Sequence, residues 1–210
     1  MLRPAIAIAA LTLLAGCSAI SALSDATTPL EVYELRAENA GVVASGAPLA
    51  RDIIVELPTT SGALDTDRIM IRPNAFQAQY LPEARWGEPA PVMVQTLMVR
   101  ALERSNAVRY VARRPLGPGG DFAIVTELVD FQAEQPDADA APLVNLRMTA
   151  RILRESDTRI IASRTFTARA EAASTDTLVL VAAFDRAAAN LMDEFTAWTL
   201  ASLGARVAAR

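Results

Sequence analysis

The chain has no histidine and no lysine, so all twenty of its basic residues are arginine. Without histidine it lacks the commonest general base and the commonest metal ligand. Arginine stays protonated, so the remaining cations cannot shuttle protons. A single cysteine, Cys17, rules out an intrachain disulfide and a thiolate metal cage. A serine hydrolase needs a base beside its nucleophile, and no G-x-S-x-G elbow occurs. Ser45-Gly46 and Ser61-Gly62 read instead as turns. No G-x-G-x-x-G or P-loop pattern is present, so no nucleotide site is expected. The net charge of −4 is spread over both signs with no basic face, which argues against a nucleic-acid partner. Hydrophobic residues reach 52%, yet 42 of the 210 residues are alanine, so large-side-chain burial is smaller than that figure suggests. The composition remains that of a globular chain with one ordinary core.

What is present begins at the N-terminus. Met1-Leu2-Arg3 is followed by a run from Ala5 to Ala15 that is apolar except for Thr12. This is the layout of a secretory leader. A run of about eleven residues is well short of the roughly 20 that a membrane-spanning helix needs. Leu14-Ala15-Gly16-Cys17 resembles the bacterial lipobox, which implies cleavage after Gly16 and acylation of Cys17. At about 0.8 kcal/mol per buried methylene, one acyl chain binds reversibly, whereas two or three hold a protein at a bilayer. An ordinary leader cut near Ala19-Ile20-Ser21 or Ala22-Leu23-Ser24 would instead discard Cys17, and a core cysteine in an uncleaved helix is a third reading. Ser18, where enteric lipoproteins kept at the inner membrane carry aspartate, points to the outer membrane. The expected organisation is a signal peptide over 1–16, a lipidated cysteine and flexible tether over 17–29, one periplasmic domain over 30–203 and a tail over 204–210. The polar tether "SAISALSDATTP" has a reach of roughly 20 Å for about twelve residues.

Periodicity predicts strands at "LEVYELR", "RDIIVELP", "DRIMIRP", "FQAQYL" and "VRYVA". Further strands fall at "FAIVTELVDFQ", partly apolar on both faces, and at "LVNLRMTARIL", where Asn145, Arg147, Thr149 and Arg151 make one wet face. After a turn at Ser156–Thr158, "RIIASRTFTARAE" is its hairpin partner. A helix starting near Pro89 to Val92 carries Val94, Leu97, Met98, Ala101 and Leu102 on one stripe. A second, from Asp176 to Leu203, carries Leu178, Val181, Phe184, Ala188, Leu191, Phe195 and Trp198. Strands come in runs, so the expected fold class is α+β: a mainly antiparallel sheet with two long helices packed on one face.

Close acidic pairs leave carboxylate chemistry formally open: Asp65 with Asp67, Asp137 with Asp139, and Asp193 with Glu194. Asp137 and Asp139 lie in a proline-bounded loop that reads as solvated, since the remaining EF-hand positions are missing. Trp86 has two readings. It closes the core at the entrance to the first helix, or it anchors a partner surface together with Tyr80 and Arg85.

These residues, in order, resemble a family. Tyr33-Glu34-Leu35, Ile53-x-Val55-x-Leu57-Pro58, "LDTDRIMIR", Tyr80 followed by Ala84-Arg85-Trp86, "FTARAEAASTD" and a terminal helix with Phe184 and Trp198 match the auxiliary lipoprotein component of ABC-type transport systems, the PqiC-like group. The resemblance implies a non-enzymatic, cofactor-free, outer-membrane lipoprotein on the periplasmic face. Its implied partners are an MCE-domain substrate-binding protein, an ABC permease and an ATPase, in a system that moves lipids or other hydrophobic molecules and supports envelope integrity. It leaves homo-oligomerisation, the cargo and direct contact with cargo open. The competing readings are a periplasmic carboxylate-dependent hydrolase and a purely structural envelope lipoprotein.

Overall fold

A computed structural model of the chain describes residues 30–38, 41–117, 119–135 and 140–206. The chain divides into two units between Glu31 and Val32, and the fold below is that of the second. Gly16, Cys17, the tether and the Asp137–Asp139 pair lie outside the described residues.

Among the described residues, nine strands and two helices follow in the order β1 (Glu31–Tyr33), β2 (Leu49–Val55), β3 (Thr59–Thr60), β4 (Arg68–Asn74), β5 (Gln77–Trp86), α1 (Ala90–Arg104), β6 (Val108–Ala112), β7 (Phe122–Glu134), β8 (Leu143–Arg154), β9 (Arg159–Glu171) and α2 (Thr177–Ser202). The strands form one mixed sheet built around β7. Along one side of β7 runs β8, antiparallel from Phe122↔Arg154 to Glu134↔Leu143. The other side is shared by β2, β3 and β4, all parallel to it. The pairs β4–β5 and β8–β9 are antiparallel, and β2–β6 is parallel. The fold is therefore α+β and mostly antiparallel, with a parallel centre that local periodicity could not specify, because partner choice there is set by long connections.

The alternation of β8 fixes which face is dry. Val144, Leu146, Met148, Ala150 and Ile152 are buried, while the residues between them are half-buried or exposed. Across the ladder, Phe166 of β9 sits opposite Met148, and Thr126 of β7 sits opposite Ala150. Phe166 meets Phe195 and Trp198 of α2 edge-on, at ring-centroid distances of 6.1 and 5.3 Å. Thr126 faces Met98 of α1. Both helices thus cover the same face of the sheet. A second aromatic group, Trp86, Phe131 and Phe184, joins the end of β5 to β7 and α2, with centroids 5.2 to 6.0 Å apart.

Local chemistry explains the ends of the helices. Pro89 precedes α1, and Asn106, at φ 51°, stops it in the left-handed conformation that asparagine tolerates. The Asp176 carboxylate accepts from the backbone N–H of Leu178 and Val179, capping α2. At the other end Gly204, at φ 81°, lets Ala205 N–H reach the Leu200 carbonyl at 2.9 Å. Beyond α2 the chain stays tied to the domain, with Ser45 N–H donating to the Arg206 carbonyl at 2.9 Å.

Four local readings change. The strand expected over "LEVYELR" ends at Tyr33, and the Arg36 and Ala37 N–H groups donate to the Asp185 carboxylate instead of a ladder. β5 runs ten residues to Trp86, because it bulges between Tyr80 and Arg85 where β4 advances only from Met70 to Arg68. Phe76 is not in a strand but at the hairpin tip, 99% exposed, where the Asn74 side chain accepts from its N–H. Leu178, placed on the apolar stripe of α2, is 65% exposed in the first helical turn, ahead of the point where the helix meets the core at Leu180.

Candidate functional site

The β7 ladder holds a feature that the sequence did not disclose. Leu128 pairs with Met148, yet the next pair is Asp130 with Arg147, so Val129 is an extra residue in β7. A bulge of this kind resets the strand's alternation. Ile124, Thr126 and Leu128 point to the helices before it, and Phe131 and Ala133 do so after it, opposite Leu146 and Val144. Asp130, Gln132 and Glu134 are thereby turned to the helix-free face. Run without the bulge, "TELVDFQAE" reads as apolar on both faces, which is the pattern the sequence presented.

On that face the strands place polar residues in rows. Gln132 lies beside Asn145, which lies beside Arg169; Asp130 lies beside Arg147, which lies beside Thr167; Arg72 of β4 lies beside Glu134. Together with Asn74 and Ala75 from the β4–β5 hairpin they line a cleft of about 520 Å³.

The interior of the cleft is tightly ordered. Gln132 is 1% exposed. Its Oε1 accepts from the Phe131 N–H at 2.8 Å, and its Nε2 donates to Glu134 Oε1 at 2.8 Å and Asp130 Oδ1 at 3.3 Å. Arg147 Nε closes on Asp130 Oδ2 at 2.6 Å, and Asn145 Nδ2 donates to Glu134 Oε1 at 3.4 Å. Two buried polar atoms of the lining, Arg72 Nε and Asn145 Oδ1, have no hydrogen-bond partner among the described residues. Buried polar groups are nearly always paired, so these two atoms mark unused hydrogen-bonding capacity. The lining holds no serine or cysteine nucleophile, and its chemistry is that of charge and hydrogen-bond recognition. A smaller apolar pocket of about 180 Å³ lies at the same end of the sheet, where Leu81, Ala133 and Leu180 meet Arg72 and Glu134.

The residues singled out in the sequence go elsewhere. Trp86 is 1% exposed inside the aromatic group, so the partner-surface reading is corrected and the core-closing one holds. Alternation at the end of β5 explains it: Ala84 and Trp86 turn inward while Arg85 turns out. Tyr80 is half-buried, its hydroxyl donating to the Ala63 carbonyl at 2.9 Å under the Arg68 guanidinium. Arg85 is exposed and paired with Asp67 at 3.1 Å. The Asp193–Glu194 pair serves the fold as well. Asp193 accepts from the Gly41 N–H, and Glu194 pairs with Arg164. Ser61 does sit in a turn, its carbonyl accepting from Leu64 and Asp65 N–H. Of the cleft, only the wet row of β8 was visible beforehand; the bulge that supplies β7's share leaves no local signal.

The model of the ABC-type transport auxiliary lipoprotein component family matches residues 33–195. A crystal structure of protein XCC0632 from Xanthomonas campestris superposes with a TM-score of 0.73 at 28% identity, covering 83% of this chain and 96% of that one. An uncharacterized protein of solved structure shares the fold at TM-score 0.62 and 14% identity, covering 81% of this chain and 99% of its own. The uncharacterized protein bll6063 of Bradyrhizobium diazoefficiens is 25% identical over 172 residues, and the match takes in 80% of this chain but only 44% of the length of that relative. With the family model spanning nearly the whole folded unit, the chain belongs to the ABC-type transport auxiliary lipoprotein components.

Proposed function

We propose that the protein is a non-enzymatic auxiliary subunit of an ABC/MCE-type transport system, held by acyl chains on Cys17 at the periplasmic face of the outer membrane. There it assists the movement of lipids or other hydrophobic molecules between membranes, alongside a permease, an ATPase and an MCE-domain protein. The observation that carries this reading is the family match over residues 33–195 joined to Leu14-Ala15-Gly16-Cys17. Among the described residues no helix is long and apolar enough to cross a membrane, so the reading assigns attachment to the acyl chains. The hydrolase alternative loses two of its supports, since Asp67 is bound to Arg85, and Asp193 and Glu194 are bound to Gly41 and Arg164.

Two measurements test it. Cys17→Ser should move the protein from the outer-membrane fraction to the soluble periplasm or leave it as uncleaved precursor, as read by fractionation and intact mass. Affinity capture of the native protein from solubilised envelopes should recover permease, ATPase or MCE-domain components. Acyl-free native protein starting downstream of residue 17 would overturn the anchor. Repeated capture without any transport component would overturn the partnership.

A further inference from the structure

The cleft on the helix-free face has unmet binding capacity of both polarities. Its carboxylates are engaged: Asp130 by Arg147 and Gln132, Glu134 by Gln132 and Asn145. Its cations are in excess. Arg72 from β4 and Arg169 from β9 stand on opposite walls, neither with a carboxylate within ion-pair distance among the described residues. Arg72 Nε is a buried donor without an acceptor, and Asn145 Oδ1 is a buried acceptor without a donor. Gln132 braces the wall between them, and both unpaired atoms are shielded from solvent, so a ligand reaches them with a small shift of the Arg72 and Asn145 side chains.

A complementary ligand must bring an oxyanion for the guanidiniums and an N–H or O–H for Asn145. A tetrahedral phosphate presents acceptors in several directions, so cations from two walls can share it, which suits it better than a planar carboxylate. The volume of about 520 Å³ is that of a small-molecule site and exceeds what a bare ion fills. We propose that this cleft binds a phosphate ester carrying an ammonium or hydroxyl donor, the chemistry of ethanolamine phosphate, with the phosphate between Arg72 and Arg169 and the donor on Asn145 Oδ1. The ligand is a free metabolite or the headgroup of a lipid. The site is independent of the transport reading: failure of ester binding leaves the family assignment standing, and failure of partner capture leaves the cleft untouched.

The test uses the full chain in a phosphate-free maltoside detergent. Calorimetric titration compares ethanolamine phosphate, choline phosphate and inorganic phosphate. Saturable binding of ethanolamine phosphate at one site per chain is expected, about tenfold tighter than choline phosphate, which has no N–H to offer. Asn145→Ala should erase that preference. Arg169→Ala, at an exposed position, and Arg72→Gln should each weaken binding about tenfold or more. Arg151→Gln, on the same face but outside the cleft, should change nothing. Flotation with phosphatidylethanolamine vesicles against phosphatidylcholine vesicles then separates the sources. Binding that depends on Arg72 and Arg169 assigns a lipid headgroup, and its absence with soluble binding retained assigns a free ester. No saturable binding to any probe, or binding untouched by both arginine variants, overturns the proposal.

Discussion

Trp86 shows most directly how a residue's surroundings outweigh its type. A tryptophan flanked by charge and proline resembles a surface anchor, yet alternation at the end of β5 turns it into the core against Phe184 and Phe131. Trp86→Ala should therefore cost about 3–5 kcal/mol by denaturant unfolding, and Trp86→Phe much less. A loss under 1 kcal/mol for the alanine variant would contradict the packing described. The Asp52 carboxyl is a different case. The hydrogen bond from Arg109 at 2.7 Å holds it below the ordinary carboxylate range, against the opposing effect of desolvation and with a smaller contribution from that residue's charge. A carboxyl whose folded pKa is depressed contributes stability above its unfolded pKa and loses it as pH falls through the folded one. The loss should begin below about pH 4, and Asp52→Asn should flatten that part of a melting-temperature profile while lowering stability slightly at neutral pH. An unchanged acid limb in the variant would show that the pair contributes nothing.

At the scale of elements, the strand that the sequence described best is β8, and the one it described worst is its neighbour. Asn145, Arg147, Thr149 and Arg151 alternate with buried residues along β8 in the way that the period of two requires. β7 obeys the same rule in two pieces of opposite phase, joined at Val129, and a single continuous period fits neither. The helices were legible to within a residue or so, because 3–4 spacing and the signals Pro89 and Asp176 are local. The parallel pairing of β2, β3 and β4 with β7 was not, because nothing in a strand names its partner. The cleft was hidden for both reasons, as its residues sit on four strands and each alone reads as a solvated side chain. Deleting Val129 tests the bulge. Removing it sets Leu128, facing the helices, directly before Asp130, facing away, so both halves keep their faces and their register with β8 in one unbroken alternation. Retained cooperative unfolding by circular dichroism is the expected outcome, and loss of the fold would overturn the assignment of Val129 as the extra residue. Val129→Ala keeps the extra residue and should keep the fold.

For the molecule as a whole, β7 touches four other strands and is flanked along its entire length by β8. Its amides should be among the last to exchange with solvent, at rates set by global unfolding, while β1 and the Asn74–Gln77 hairpin exchange early. Fast exchange at Ile124 to Leu128 would rule out that centre. The two helices have a further effect on the architecture. By burying the same side of the sheet, they place nearly all cohesion on one side of the backbone plane. Gln132 and the buried pair Ile54 and Ala123 apart, the opposite wall can have its side chains exchanged without loosening what keeps the chain folded. Related chains are free to rewrite that surface for different ligands while retaining a common scaffold.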